Sequence, residues 1–447
     1  LIQTYLLDNQ HGALVTILPE PGRTARLDAE LKEKLQAYKE SLSREEIEKL
    51  VTDTKHLQEY QEEPSSQEDL EKIPMLTRAD ISREIAPIYN EEMKIADIPT
   101  VFHEIETNGI GYLDLMFDLS DVPEKDLPMV GLLQAVLGII DTEHYEYGEL
   151  FNEINRHTGG IGTSLELYPD VTKVKEKEFK ATFEIKAKAL YGQIPFAIRM
   201  MKEILTASKL DDEKRLKEIL SMTKTRLQDR FLSAGHSAAA LRAMSYKSPI
   251  SKFKDTTNGI EYYQNIREME EHFDEKKEEI ISGLKALSEL LFRKGNVMIS
   301  YTASREGLAV LEEEIGSLKE ALYPERTPES RCILHCEKKN EGFKTSSKVQ
   351  FAAKAGNFID AGEEYNGALQ ILKVIMSYEY LWINIRVKGG AYGCMSNFNR
   401  IGEGYFVSYR DPNLGRTLEI YDGVPEYLEN FTVSERDMTK YIIGTIS

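Results

Sequence analysis

An arginine and a tyrosine bracket a glycine-rich bend at Arg386-Val387-Lys388-Gly389-Gly390-Ala391-Tyr392-Gly393. Arg386 carries a permanent, forked set of donors, and Tyr392 a neutral hydroxyl. Both suit a developing oxyanion or a peptide carbonyl. Three glycines in five residues make a backbone that bends sharply and lets another chain come close. The same stretch also reads as an ordinary Gly-Gly turn with a surface arginine and a half-buried tyrosine.

Metal and nucleophile chemistry find less support. No pair of the eight histidines sits at the helical spacing of H-E-x-x-H or H-x-x-E-H. The nearest approach is Ile140-Asp141-Thr142-Glu143-His144, with isoleucine where the first histidine belongs. One His and one Glu do not close a three-ligand site. Cys332, His335 and Cys336 lie in a strand-like run that puts Cys332, Leu334 and Cys336 on one face, which reads as buried small apolar side chains. Phosphate-loop, dinucleotide and G-x-S-x-G fingerprints are absent.

The elements that must carry the bend are those of an α+β protein. A helix pattern, Asn366 to Leu381, leads into it and a strand, Tyr405 to Tyr409, follows. Upstream, Tyr5 to Leu18 reads as a hairpin that needs a sheet elsewhere. Arg26 to about Glu63 reads as a charged helical hairpin whose second helix starts at a Ser43/Glu46 capping box, with Ser65/Glu68 as a further cap. Val101–Ile105 and Ile110–Leu119 read as a hairpin turning at Asn108-Gly109. Strands at Ile161–Tyr168, Glu178–Leu190, Val297–Tyr301 and Ser347–Ala353 are interleaved with helices from Leu127 to Leu322. Pro324 and Pro328 mark a boundary, and a last helix begins near Ser434.

Composition bounds the partners. The chain has 447 residues, 41% hydrophobic and 29% charged, with a formal net charge of -19. That charge argues against nucleic acid. No apolar run reaches membrane-spanning length and no signal peptide opens the sequence, although it starts at Leu1 rather than Met. Three cysteines do not make a disulfide framework, which favours a reducing compartment: a bacterial cytoplasm, or alternatively an organelle matrix.

Two segments resemble each other. Gly131-Leu132-Leu133-Gln134 aligns with Gly367-Ala368-Leu369-Gln370, and Thr158-Gly159-Gly160-Ile161-Gly162 with Lys388 through Gly393, at offsets of roughly 230 residues. Each places a helix before a Gly-Gly turn and a strand after it, suggesting two copies of one domain, the first from about Ile98 to Tyr323 and the second from Glu329.

With these motifs in view, the chain resembles the C-terminal half of an insulinase-type (pitrilysin-family) zinc metallopeptidase of the presequence-protease branch. The stretches that carry the resemblance are Tyr5 to His11, Leu57 to Gln61 with Glu68-Asp69-Leu70 and Ile73-Pro74, Thr107 to Leu113 with Thr158-Gly159-Gly160, and Arg386 to Gly393. The resemblance implies two LuxS/metallohydrolase-like domains with antiparallel-type sheets packed by helices. The implied boundaries are 1–22 for the end of a preceding domain, 23–96 for a helical hairpin linker, 97–325 for a degenerate third domain without a zinc motif, and 326–447 for a shortened fourth domain. It further implies zinc held by the N-terminal half, which is the partner of this half, and an unfolded peptide as substrate in a closed chamber. By position, Arg386 and Tyr392 would be catalytic, and Arg386, Gly389, Gly390 and Tyr392 would contact substrate, with no metal ligand in this chain. A non-catalytic scaffold or peptide-binding subunit of the same fold is the alternative.

Overall fold

The computed structural model describes residues 1–63, 65–327 and 331–446. Pro328 and Glu329, at the expected domain boundary, and Ser447 lie outside them. The chain divides into two compact units, Leu1–Met75 and Leu76–Ser447.

The first unit is helical. Helices α1 (Arg23–Ser41) and α2 (Arg44–Glu62) are followed by a short α3 (Gln67–Glu71). The Ser43/Glu46 capping box forms as its spacing predicts, with both reciprocal bonds made. The next cap falls one residue later than expected: Ser66 accepts from the Asp69 amide, and Asp69 is held in turn by Lys72. The expected hairpin over Tyr5–Leu18 is absent. Residues 3–7 make a single wide helical turn and 9–20 form no strand. A lone two-stranded hairpin is marginal in water, and nothing within this unit offers it a sheet to join.

In the second unit β1 (Glu91–Ile95), β2 (Ile98–Glu104) and β3 (Ile110–Asp118) come first. Helices α4 (Leu127–Val136) and α5 (Tyr147–His157) precede β4 (Ile161–Pro169) and β5 (Phe179–Leu190). Then come α6 (Ile194–Thr206), α7 (Glu213–Ser245), α8 (Pro249–Asn258), α9 (Ile260–Glu271), α10 (Phe273–Leu291), β6 (Val297–Ala303) and α11 (Arg305–Ala321). The strands form one sheet in the order β1-β2-β6-β3-β5-β4. Odd positions of β5, such as Phe183 and Ile185, and Ile299 and Tyr301 of β6 turn towards the helices and are buried. Each fully buried side chain of this size contributes roughly 1.5–3 kcal/mol.

The pairing differs from the expected hairpin. Asn108 and Gly109 do adopt left-handed turn geometry, with φ of 55° and 80°. But β6 inserts between β2 and β3, parallel to the first and antiparallel to the second. His103 of β2 and Ser300 of β6 are bonded across that seam at 3.2 Å. The true hairpin joins β1 to β2 through Ala96 and Asp97, both with positive φ, without the glycine that advertises such a turn.

An irregular strap follows. The cysteine-bearing run expected as a strand is not one: Cys332 is half-buried and Cys336 exposed. Backbone groups there are met by side chains and loops instead, Cys332 N–H by the Ser120 carbonyl and His335 N–H by Glu124. Beyond it, β7 (Ala353–Asn357) starts where the expected Ser347–Ala353 strand was to end. Pairing with β9 (Glu403–Tyr409) decides this placement, since Ala353 faces Val407 and Gly356 faces Gly404. Helix α12 (Ala368–Ile375) continues through wider π turns at Met376–Tyr380 and Trp382–Val387, and β8 (Gly393–Phe398) completes a sheet of order β7-β9-β8. Helices α13 (Gly415–Asp422), α14 (Val424–Glu429) and α15 (Glu435–Ile446) end the chain.

The two sheets correspond. β3-β5-β4 and β7-β9-β8 share order and antiparallel directions. Gly160 and Gly390 both have positive φ. The aligned glutamines each bond to the strand that follows their turn, though at different positions along it, Gln134 donating to the Thr163 carbonyl in β4 and Gln370 to the Phe398 carbonyl in β8. Helix α7 breaks its helical dihedrals at Ala234 and packs against β7 and β9 of the second sheet.

Candidate active site

The bend at Gly389-Gly390 is where the wide helical turns give way to β8. Lys388 N–H bonds back to the Ile383 carbonyl, Gly390 N–H to Arg386 and Ala391 N–H to Ile385. A Cβ on Gly389 would collide with the Ile385 carbonyl oxygen, and Gly390 needs its φ of 77°. The two glycines therefore do a structural job that few other residues can. Asn413 adds a bond from its side chain to the Gly389 carbonyl at 2.6 Å.

Arg386 and Tyr392 are brought together by this turn. The Arg386 guanidinium lies 3.9 Å over the Trp382 ring and 5.9 Å from the Tyr392 ring centre. Both side chains are exposed, Tyr392 at 66%. That overturns the ordinary expectation of a half-buried tyrosine and leaves its hydroxyl on the surface beside the guanidinium. Behind them Ala391 and Cys394 are buried, and burial pushes the Cys394 thiol up to about 12, so it is not a nucleophile. Asp411 is buried and satisfied by Thr417 and the Asn413 amide.

Sequence reasoning missed Trp382, Tyr409 and Asn413. Trp382 is the only tryptophan in the chain, four residues before Arg386, a signal that was there to be used. Tyr409 and Asn413 reach the site only through strand pairing and a loop.

The histidines that suggested metal have other partners. His144 bonds to Glu203 through Nδ1 at 3.0 Å, and His335 to Glu124 at 2.7 Å. Burial pushes the Glu203 carboxyl up, but bonds from Thr142 and His144 outweigh it and hold it below its usual range. Among the described residues no group of three or more His, Cys, Asp or Glu is placed to hold a metal ion.

Comparison with known proteins gives the family of the chain. A family described as associated with subfamily C of the M16 peptidases matches residues 17–269, and the "PreP C-terminal domain" matches residues 340–447. Protein HypA of Clostridium perfringens is 39% identical over the whole chain, and presequence protease 1 of Arabidopsis thaliana is 29% identical over the whole chain. The chain spans only 45% and 41% of those proteins. Among solved structures, the peptidase M16 inactive domain of Pseudomonas fluorescens shares the fold at a TM-score of 0.52 and 16% identity, with 80% of this chain and 84% of that one covered. A conserved protein of Enterococcus faecalis matches equally well, at a TM-score of 0.52 and 14% identity over 80% of this chain and 86% of its own. With family matches over residues 17–269 and 340–447 and relatives about twice its length, the chain belongs to the pitrilysin (M16) peptidase family and corresponds to the C-terminal half of a presequence-protease-like member.

Proposed function

We propose that this chain works as the C-terminal half of a zinc-dependent endopeptidase that degrades unfolded peptides inside a closed chamber. The observation that carries this reading is the exposed Arg386–Tyr392 pair, held side by side at a glycine bend. In it Tyr392 donates a hydrogen bond to the oxyanion of the attacked peptide carbonyl. Arg386 grips the peptide backbone through its fork, while its stack on Trp382 fixes its direction. Gly389 and Gly390 let the peptide approach the main chain. The metal belongs to the N-terminal half, which is the partner of this chain.

We also propose that residues 97–325 and 326–447 are two copies of one domain, with 1–22 belonging to a preceding one and 23–96 acting as linker. The shared strand order supports it. No described helix is long and apolar enough to cross a membrane. The proposed site of action is the cytoplasm of a bacterium.

A reconstitution assay tests the enzyme reading. This chain and the N-terminal half, separately and mixed, are given a fluorogenic peptide with zinc present. Cleavage is expected only from the mixture. Equal cleavage by the N-terminal half alone would reassign this chain to a scaffold.

A further inference from the structure

We propose that Tyr409 is the positioning residue of this site, holding the Tyr392 ring at its working angle while anchored to helix α7. The proposal rests on the reading of Arg386 and Tyr392 as substrate-facing donors.

Two contacts tie Tyr392 to Tyr409. The first is backbone: Tyr392 N–H donates to the Tyr409 carbonyl at 3.0 Å and the Arg410 carbonyl at 3.3 Å, and Arg410 has a φ of 49°. The Tyr392 N–H, just before β8, is thus shared between the last residue of β9 and the residue after it, which fixes the Tyr392 backbone against the end of that strand. The second is the rings, which meet edge to face at 5.6 Å and 80°. Since Tyr392 is largely exposed, this edge contact and the more distant Arg386 are what orient its ring.

Tyr409 is itself held from another element. Its hydroxyl donates to the Ser233 carbonyl at 3.2 Å, next to the break in α7 at Ala234. The His236 ring packs edge-on against it at 4.7 Å, and Phe351 lies 5.8 Å away. Gly235 is what lets Phe351 come so close, because a Cβ there would collide with the Phe351 ring. A row of contacts therefore runs from α7 through Tyr409 and Tyr392 to Arg386 and Trp382.

Trp382, the only tryptophan, supplies the readout, since its emission senses the guanidinium stacked on it. In this chain alone, Tyr409→Phe removes the tether to Ser233 and keeps the ring. Trp382 emission should shift in the same direction as in Tyr392→Leu, with no further shift when the two are combined. Tyr409→Leu should shift it more. In the enzyme reconstituted with the N-terminal half, Tyr409→Phe should lower kcat about 10-fold with little change in KM, as expected when a reacting group is misplaced rather than lost. Wild-type emission in Tyr409→Phe, or a shift that persists undiminished in the Tyr392→Leu background, would overturn the proposal. If instead Arg386→Ala and Tyr392→Phe leave peptide turnover intact, the functional reading fails, and the emission coupling still decides whether Tyr409 positions Tyr392.

Discussion

A donor that meets only the transition state and a donor that also grips the ground state leave different kinetic traces. Tyr392→Phe should lower kcat and kcat/KM of the reconstituted enzyme by similar factors, about 10²–10³, the usual worth of one oxyanion donor. Arg386→Ala should raise KM as well, and lysine should rescue it poorly because it lacks the planar fork. The exposed Tyr392 hydroxyl serves no core contact, so melting temperatures should stay at the wild-type value. Steady-state kinetics beside thermal scans checks all three. A different residue sets a pH response. On the first sheet Lys186 is shared by the buried Glu184 at 2.9 Å, Glu166 at 3.2 Å and Asp114 at 3.6 Å. Burial, with the Glu184 charge behind it, pushes the Asp114 carboxyl up to about 6 against the pull of Lys186. Its unfolded value is about 3.9. Between the two the folded chain keeps a proton that the unfolded chain releases, so stability should fall as pH rises from about 4 through about 6. Asp114→Asn should flatten that fall by roughly 1 kcal/mol, after allowance for solvent screening, in urea titrations at pH 4.5 and 7.5. At this scale the sequence was legible where chemistry is local. Arg386, Gly389, Gly390 and Tyr392 lie within seven positions. Tyr409 meets Ser233 across 176 positions, which no spacing rule reveals.

Elements are joined by a few buried charges. Arg242 of α7 donates to Asp255 of α8 at 2.6 Å, to Glu261 of α9 at 3.3 Å and to Glu341 of the strap at 2.8 Å. Asp255 is fully buried, and burial raises its carboxyl even with the guanidinium beside it. Arg242→Met would strand that carboxylate and should cost about 3–5 kcal/mol in a urea titration. Adding Asp255→Asn should recover part of the loss; no recovery would mean that the lost packing of the arginine stem matters more than charge. The long helices were legible because apolar residues recur at helical spacing. β1 and α8 were not: Glu91-Glu92-Met93-Lys94-Ile95 is too polar to announce a strand, and α8 is mostly polar in sequence although Ser251, Asp255, Thr256 and Thr257 are buried. Burial of polar groups follows from partners that only the fold provides.

At the scale of the molecule, α7 and the strap bind the second sheet to the first. Gly235 marks one close approach, against Phe351. Gly235→Val should overpack that contact and cost about 1–3 kcal/mol. Hydrogen exchange should then rise in β7 and β9 while β3 and β5 keep their protection. Uniform loss of protection would show that the two sheets unfold as one. The likeness of strand order between β3-β5-β4 and β7-β9-β8 had a trace in the sequence in its Gly-Gly turns, because a turn is written in neighbouring residues. The pairing order of the first sheet had none, because β6 lies far along the chain from the strands that it separates.

That separation also has a cost in time. His103 and Ser300 meet across 197 positions. On a ribosome adding about 5–20 residues per second, the strand that fills the seam emerges roughly 10–40 s after the one that waits for it. Through that interval the nascent chain carries open strand edges on both sides of the gap, which are templates for pairing with other chains. A long wait between the first strands and the one that joins them is therefore built into the topology of the first sheet.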